Sequence, residues 1–575
     1  MRTLCLVLGG LGCLLVCGCA ATGGPRAGPV ASVVLESDPE ATAYGQFLAG
    51  QAAVNQGESA VAAAYFSKAA GLDPGADDGL LATRTFTSAL LAGDIPRAAA
   101  TAPTGPDADS GIRHLGALVR GVEALATGNA KLARAILTGP DSGAPNEPAA
   151  ALLTPFAAAA AGDADGSIML PVIRNEAIGQ FFASLDQGKL FERARRYDEA
   201  ETAFRALIAK GDPGGIASLK LGEMLERRGR TADAIAIYSA AIAGKKGDTE
   251  LATALARATA HGPAPAQPSL RASAAEALIA PATALLIDKQ QEIALAYLRL
   301  ALRLDPTRDE ASMLLGDILA GNGDDAGARA AYARVRPTSS QYVDARTKLA
   351  WSYQEAKDTD TALATARETL VQRPDDQDAA ITLADLLRAE EHYDESAKVL
   401  DGLIPKTADA ATWRLLYMRA VDYEESGHWE DAEKDLQAAL KLRPDEPELL
   451  NFLGYSWVDR GVRLTEAMAM IQKAVDLQPQ SGAMIDSLGW GYYRMGVYPM
   501  AVEKLEAAIV LEPGDPDVNN HLGDAYWRVG RKIEAGFQWR RVLTLDPPAK
   551  LRAEVEAKLT SGLDAPTAAP VIAAK

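Results

Sequence analysis

The sequence predicts an all-α protein, a solenoid of antiparallel helix pairs arranged in two arrays. Three observations lead there. The chain has 575 residues, and single hydrophobic cores stop growing near roughly 250–300 residues, so a string of units is needed. It is 48% hydrophobic but only 6% aromatic, with the apolar content weighted to Ala and Leu. That mixture suits helices packed closely through small residues better than sandwiches or barrels. The last third of the chain also repeats itself every 34 residues.

The repeat is readable residue by residue. Asn451-Phe452-Leu453-Gly454-Tyr455 returns as Asp486-Ser487-Leu488-Gly489-Trp490 and again as Asn520-His521-Leu522-Gly523-Asp524. Gly489 and Gly523 are 34 apart; Gly454 to Gly489 is 35, which places one extra residue in the turn around Arg463. Ala467, Ala501 and Ala535 keep the period, as do Pro479, Pro513 and Pro547. Leu488 and Leu522 are knobs on a first helix, and Gly489 and Gly523 let a second helix approach. Ala501 and Ala535 face them, while Leu505 and Trp539 fill the space between repeats. Gly496 and Gly530 turn the chain, and Pro513 and Pro547 stop the second helix because Pro cannot continue it.

This pattern resembles the tetratricopeptide repeat, with its Leu-Gly word, its Ala, its large apolar residue and its closing Pro. The resemblance implies a tetratricopeptide-repeat α-solenoid. Weaker units continue toward the N-terminus: Tyr423, Ala432, Leu436, Ala439 and Pro444; Leu349, Tyr353, Ala362 and Pro374; Leu315, Gly316, Gly323, Ala328 and Tyr332; Leu221, Gly222, Gly229, Ala234 and Tyr238. Gly50, Ala62, Phe66, Ala69 and Pro74 fit the template near the start. Between about 77 and 180 only helix pairs of approximate register remain.

The first residues carry a different message. Arg2 precedes an apolar run from Leu4 to Val16, too short for a stable span and placed as a signal peptide is. All four cysteines, Cys5, Cys13, Cys17 and Cys19, lie here, so the rest of the chain has no disulfide and no thiolate metal site. Val16-Cys17-Gly18-Cys19 resembles the lipobox of bacterial lipoproteins. The resemblance implies a diacylglycerol on Cys19, and Ala20, in place of a retaining Asp, implies the outer membrane.

The expected organisation is a signal peptide at 1–18, a lipidated tether at 19–38 and divergent helical repeats at 39–262. A Pro-rich linker follows at 263–272, then a repeat array with its capping helix at 273–561 and a Pro- and Ala-rich tail at 562–575. The capping helix is expected from Ala549 to Leu559, with a polar outer face of the kind solenoid ends need.

Composition and motifs exclude several function classes. The net charge is −18, which argues against nucleic acid as the main partner, since phosphate binding needs a surplus of cations. The five histidines, His114, His261, His392, His428 and His521, never take the helix-face spacing of a zinc site. Ser487 lacks the strained elbow of a nucleophile, and no glycine loop would cradle a phosphate. The reading is therefore no enzyme, no cofactor and no metal. Partners are expected to be periplasmic or envelope proteins, held on the concave face that a solenoid makes from its first helices. By register, Trp490, Tyr493, Arg494, Asp524, Trp527 and Arg528 are the candidate groove residues. The Lys, Arg and Asn set of carboxylate-clamp tetratricopeptide domains is absent.

The run from Asn451 to Asp546 looks like the C-terminal part of large tetratricopeptide lipoproteins of Gram-negative bacteria. It shares Leu453-Gly454-Tyr455, Asp486-Ser487-Leu488-Gly489-Trp490 and His521-Leu522-Gly523-Asp524-Ala525-Tyr526-Trp527 with them. That likeness implies an outer-membrane adaptor presenting cell-wall hydrolases to a C-terminal processing protease. Two alternatives stand beside it: an assembly factor for outer-membrane protein or polysaccharide export, and a cell-wall lytic enzyme.

Overall fold

The computed structural model describes residues 42–72, 79–105, 108–173, 177–243, 249–407 and 409–563. Cys19, the segments expected as signal peptide and tether, and the expected tail beyond Leu563 lie outside these residues. Among the described residues all regular structure is helical: thirty α-helices and two short 3-10 turns, joined mostly as antiparallel pairs. Contacts concentrate in two units, one ending at Pro374 and the other beginning at Asp375.

One rule recurs in several pairs. A glycine on the first helix meets a large side chain of the second helix about sixteen positions later. A Cβ placed on Gly222 would stand 2.1 Å from the Tyr238 ring, and one on Gly316 2.4 Å from Tyr332. Gly489 is matched with Leu505 at 2.6 Å and Gly523 with Trp539 at 2.5 Å. Gly454 meets Ile471, one position later than the others, at 2.7 Å. The extra residue expected near Arg463 accounts for the shift, and there the chain turns with Gly461 at φ 70° and Arg463 at φ 48°.

The closeness has a testable consequence. Tyr238 is fully buried and its hydroxyl donates to Glu226 Oε1 at 2.6 Å, so the ring cannot retreat. Gly222→Ala should lower the stability of the N-terminal unit by about 1–3 kcal/mol, as overpacking does. Urea denaturation checks it, and a change within experimental error would show that the helix pair can separate without penalty.

In the N-terminal unit, the segment expected as a linker is irregular from Gly262 to Ser269. Ser269 then caps the helix Leu270–Ile287, its Oγ accepting from Ala272 N at 3.1 Å. That helix is long and apolar enough to cross a membrane. Here Ala274, Ala275, Leu278 and Ala282 are buried, and the helix packs on Glu147–Ala160. The next helix, Gln291–Leu304, packs on Ser110–Ala126 and Gly79–Ala92. Tyr297 donates to Asn146 Oδ1 at 2.8 Å, Arg299 to Leu91 O at 3.0 Å, and Arg303 pairs with Glu123 at 2.8 Å. One continuous apolar cluster runs from Phe86 to Leu349. The prolines therefore interrupt helix without interrupting the core, because two largely apolar helices after them need cover and the first third of the chain supplies it.

The C-terminal unit stacks five pairs. Their first helices are Gln377–Ala389, Asp409–Glu425, Pro447–Arg460, Gly482–Arg494 and Pro516–Arg528. The second helices are Tyr393–Leu403, Trp429–Leu442, Leu464–Leu477, Tyr498–Leu511 and Lys532–Leu543. Helix Ala549–Ser561 closes the stack. Its Val555 is buried, and Leu551 and Leu559 pack against the same core.

Candidate functional site

Successive first helices of the C-terminal unit pack side by side, Pro447–Arg460 on Gly482–Arg494 and that on Pro516–Arg528. Along them a pocket opens to solvent. Helix Asp409–Glu425 supplies Tyr417, Val421 and Glu425, and the next supplies Asn451, Phe452 and Tyr455. Asp486 and Ser487 follow, then Asp515, Asp517, Val518 and His521. Asn451 and Asp486 hold the same place in their repeats, three before the glycine and one helical turn below it, so the period itself brings them to one face.

The pocket is acidic. Asp515 caps its own helix, accepting from Asp517 N at 2.8 Å and Val518 N at 3.0 Å. Asp486 lies 2.9 Å from His521 Nδ1, and both are buried. Burial alone would lower the His521 pKa. The Asp486 carboxylate outweighs it, Asp517 and Asp524 add to the effect, and the imidazole is held above its ordinary value. Burial, with Asp486, Asp459 and Asp517 around it, pushes the Tyr455 hydroxyl well above the usual tyrosine range. Asn451 is 2% exposed, and its Oδ1 has no hydrogen-bond partner.

The six residues expected in the groove take varied positions. Trp490 is half-buried and stacks on Tyr493, centroids 4.7 Å apart and planes 7° apart, and on His521 at 4.2 Å and 18°. Its Nε1 is buried without a partner. The Tyr493 hydroxyl accepts from Arg528 Nε at 3.2 Å, while Arg494 donates to the Asp459 carbonyl at 2.7 Å. Asp524 turns inward: it is 4% exposed, accepting from Trp539 Nε1 at 2.9 Å and Lys558 Nζ at 2.8 Å. Trp527 leans on Trp539 with centroids 5.4 Å apart, and Gly562 lies against its ring. His521, through its stack on Trp490, joins this set to the pocket.

Sequence reasoning passed over Asn451, Asp486, Asp517 and Tyr417. A signal was present for the first two, since a polar residue recurs inside an otherwise apolar repeat word. Among the described residues no group of three or more His, Cys, Asp or Glu side chains could hold a metal ion.

Models of the tetratricopeptide repeat match residues 185–249, 290–342 and 417–482, and a second model of the same repeat matches 353–417. The chain carries tetratricopeptide repeats. Over 110 residues it is 39% identical to the TPR repeat-containing protein PA4667 of Pseudomonas aeruginosa, a match spanning 19% of this chain and 18% of that protein. Among solved structures, a chain of the APC/C hetero-tetramer Cut9-Hcn1 is similar over 91% of this protein and 97% of its own length, at 15% identity and a TM-score of 0.35. A tetratricopeptide repeat protein from Parabacteroides merdae is similar over 44% and 98%, at 14% identity and a TM-score of 0.39. The architecture is that of a protein-interaction scaffold.

Proposed function

We propose that the protein is a non-catalytic adaptor, anchored by a lipid on Cys19 to the periplasmic face of the outer membrane. Its C-terminal groove holds envelope proteins, a processing protease and the cell-wall hydrolases presented to it among them. The observation that carries the reading is the pocket along the first helices, where aromatic walls and a buried unsatisfied amide await a partner on a repeat scaffold. The Val16-Cys17-Gly18-Cys19 word supports the anchor.

Ala483 lines the pocket and its side chain makes no hydrogen bond, so Ala483→Trp fills the space without removing one. Affinity capture from detergent-solubilised envelopes, wild type beside this variant, tests the reading. A protease or hydrolase captured by wild type and lost from the folded variant is the expected result. Recovery of the wild-type chain in the soluble fraction overturns the anchor. An outer-membrane barrel captured equally by both overturns the groove and favours export assembly.

A further inference from the structure

We propose that the pocket takes the guanidinium of an arginine carried on an extended segment of the partner protein, an assignment that rests on the groove reading above.

Four features of the pocket point to that group. The first is the amide of Asn451. Its Oδ1 is an acceptor, buried and without a donor, and an unsatisfied buried polar atom carries a penalty of about 1–3 kcal/mol. A turn of the Asn451 side chain that brings this oxygen to the pocket lets a ligand N–H satisfy it and removes the penalty. The helix Pro447–Arg460 presents Asn451 to the pocket beside Phe452 and Tyr455.

The second feature is charge. Glu425, Asp486, Asp515 and Asp517 all line the space, and the basic side chain lining it is His521, which Asp486 already holds at 2.9 Å. Arg494, the next cation along the groove, is bound to Asp459. Even with His521 protonated, the lining carries more carboxylate than cation. Carboxylate and phosphate ligands are repelled, and a cation is attracted.

The third is shape. Tyr417, Phe452 and Tyr455 form the apolar walls with Val421 and Val518, and Tyr417 meets Phe452 edge to face at 5.7 Å and 76°. A planar, weakly hydrated guanidinium stacks on aromatic faces and enters a half-buried site more readily than an ammonium, which holds its water. Its fork of five donors can reach an amide oxygen and a carboxylate together. The pocket opens to solvent, so the backbone that carries the side chain can stay outside it.

The fourth is that the Ser487 hydroxyl and the helix-capping acid are already occupied. Ser487 donates to the Ala483 carbonyl at 3.0 Å, and Asp515 accepts two backbone N–H groups. Asn451 Oδ1 is the buried acceptor that the lining leaves without a donor.

The test is fluorescence anisotropy of the full chain in detergent at about 0.15 M salt, where surface attraction to an acidic protein is largely screened. The probes are labelled Gly-Ser decapeptides with one central Arg, Lys or Gln. The Arg peptide should bind at least about tenfold more tightly than the Gln peptide and more tightly than the Lys peptide. Asn451→Leu should weaken Arg binding about tenfold, and Asn451→Asp should strengthen it, because a charged acceptor makes the stronger bond. Circular dichroism confirms that both variants fold. Equal binding of the Arg and Gln peptides overturns the proposal, as does equal binding of Arg and Lys, or of wild type and Asn451→Leu. Envelope capture separates the two levels. A partner lost from Ala483→Trp but kept by Asn451→Leu leaves the groove standing and removes the arginine site. A partner kept by both removes both.

Discussion

Lys558→Met lowers the stability of the C-terminal unit by about 3–5 kcal/mol, the usual consequence of removing one partner of a buried ion pair. Lys558 is 7% exposed, and its Nζ reaches Asn520 Oδ1 at 2.9 Å, Asp524 Oδ2 at 2.8 Å and Glu554 Oε1 at 2.7 Å. Methionine keeps most of the stem volume, so the loss isolates the charge. Asp524 is left buried with the Trp539 indole as its remaining donor. Burial already pushes its pKa up, against the pull of Lys558, and without that pull it rises further. A carboxyl whose folded pKa exceeds its unfolded value contributes stability at low pH and loses it as pH rises through the folded pKa. The deficit of the variant should therefore shrink as the solution is acidified. Adding Asp524→Asn should restore most of the loss at neutral pH. Urea denaturation followed by tryptophan fluorescence suits the measurement, since six of the seven tryptophans lie beyond Asp375. A loss under about 1 kcal/mol, or a double variant no better than the single, would show that the closing helix is held by its apolar face alone.

Glu276→Gln has an effect of similar size in the N-terminal unit. Glu276 faces Lys189 Nζ at 3.2 Å, Lys220 Nζ at 3.8 Å and Arg308 Nη2 at 3.9 Å. Burial opposes its ionisation, but the three cations prevail and hold its pKa near about 2. Asp186, 3.0 Å from Lys189, goes the other way: burial dominates, Lys189 opposes it, and the pKa rises to about 6. The two signs differ. Glu276 stabilises the fold above its unfolded value of 4.5, and that contribution disappears as pH falls from 4.5 toward about 2. Asp186 contributes below 3.8 and its contribution is lost as pH rises to about 6. Neutralising Glu276 removes the carboxylate that Lys189, Lys220 and Arg308 share. A loss of about 3–5 kcal/mol at pH 7 and disappearance of the acid limb should follow. Asp186→Asn should instead flatten the fall between 3.8 and about 6. Hydrogen exchange in the helix Leu270–Ile287, followed by mass spectrometry, reports on this unit directly. Unchanged protection in Glu276→Gln at neutral pH would sink the ion cluster as a stabilising element.

Much of the repeat is local, and local features are legible in a chain read from one end. The match of Gly489 with Leu505, and of Gly523 with Trp539, closes within a single helix pair sixteen residues apart. Period, turn and packing all follow from one stretch of about 34 residues, and the extra residue at Arg463 is visible as a slip in that period. Features that join separate repeats are not written this way. Asp524 shares the register of Tyr455 and Trp490, so by position it belongs to the same face. Its environment comes from Lys558, 34 residues further on, which draws it into the core under the closing helix. The helix Leu270–Ile287 follows a Pro-rich break yet packs on residues more than a hundred positions earlier, because its apolar surface needs cover and the nearest cover in space is not the nearest in sequence. The pocket is the clearest case. Asn451 is an ordinary polar residue within its own repeat. Neighbouring helices from before and after it shut out water, place carboxylates beside it and leave its amide oxygen unanswered. Burial and charge are collective properties of the stacked repeats, so the repeat unit was readable from its own residues, while the site came into being only when the units were stacked.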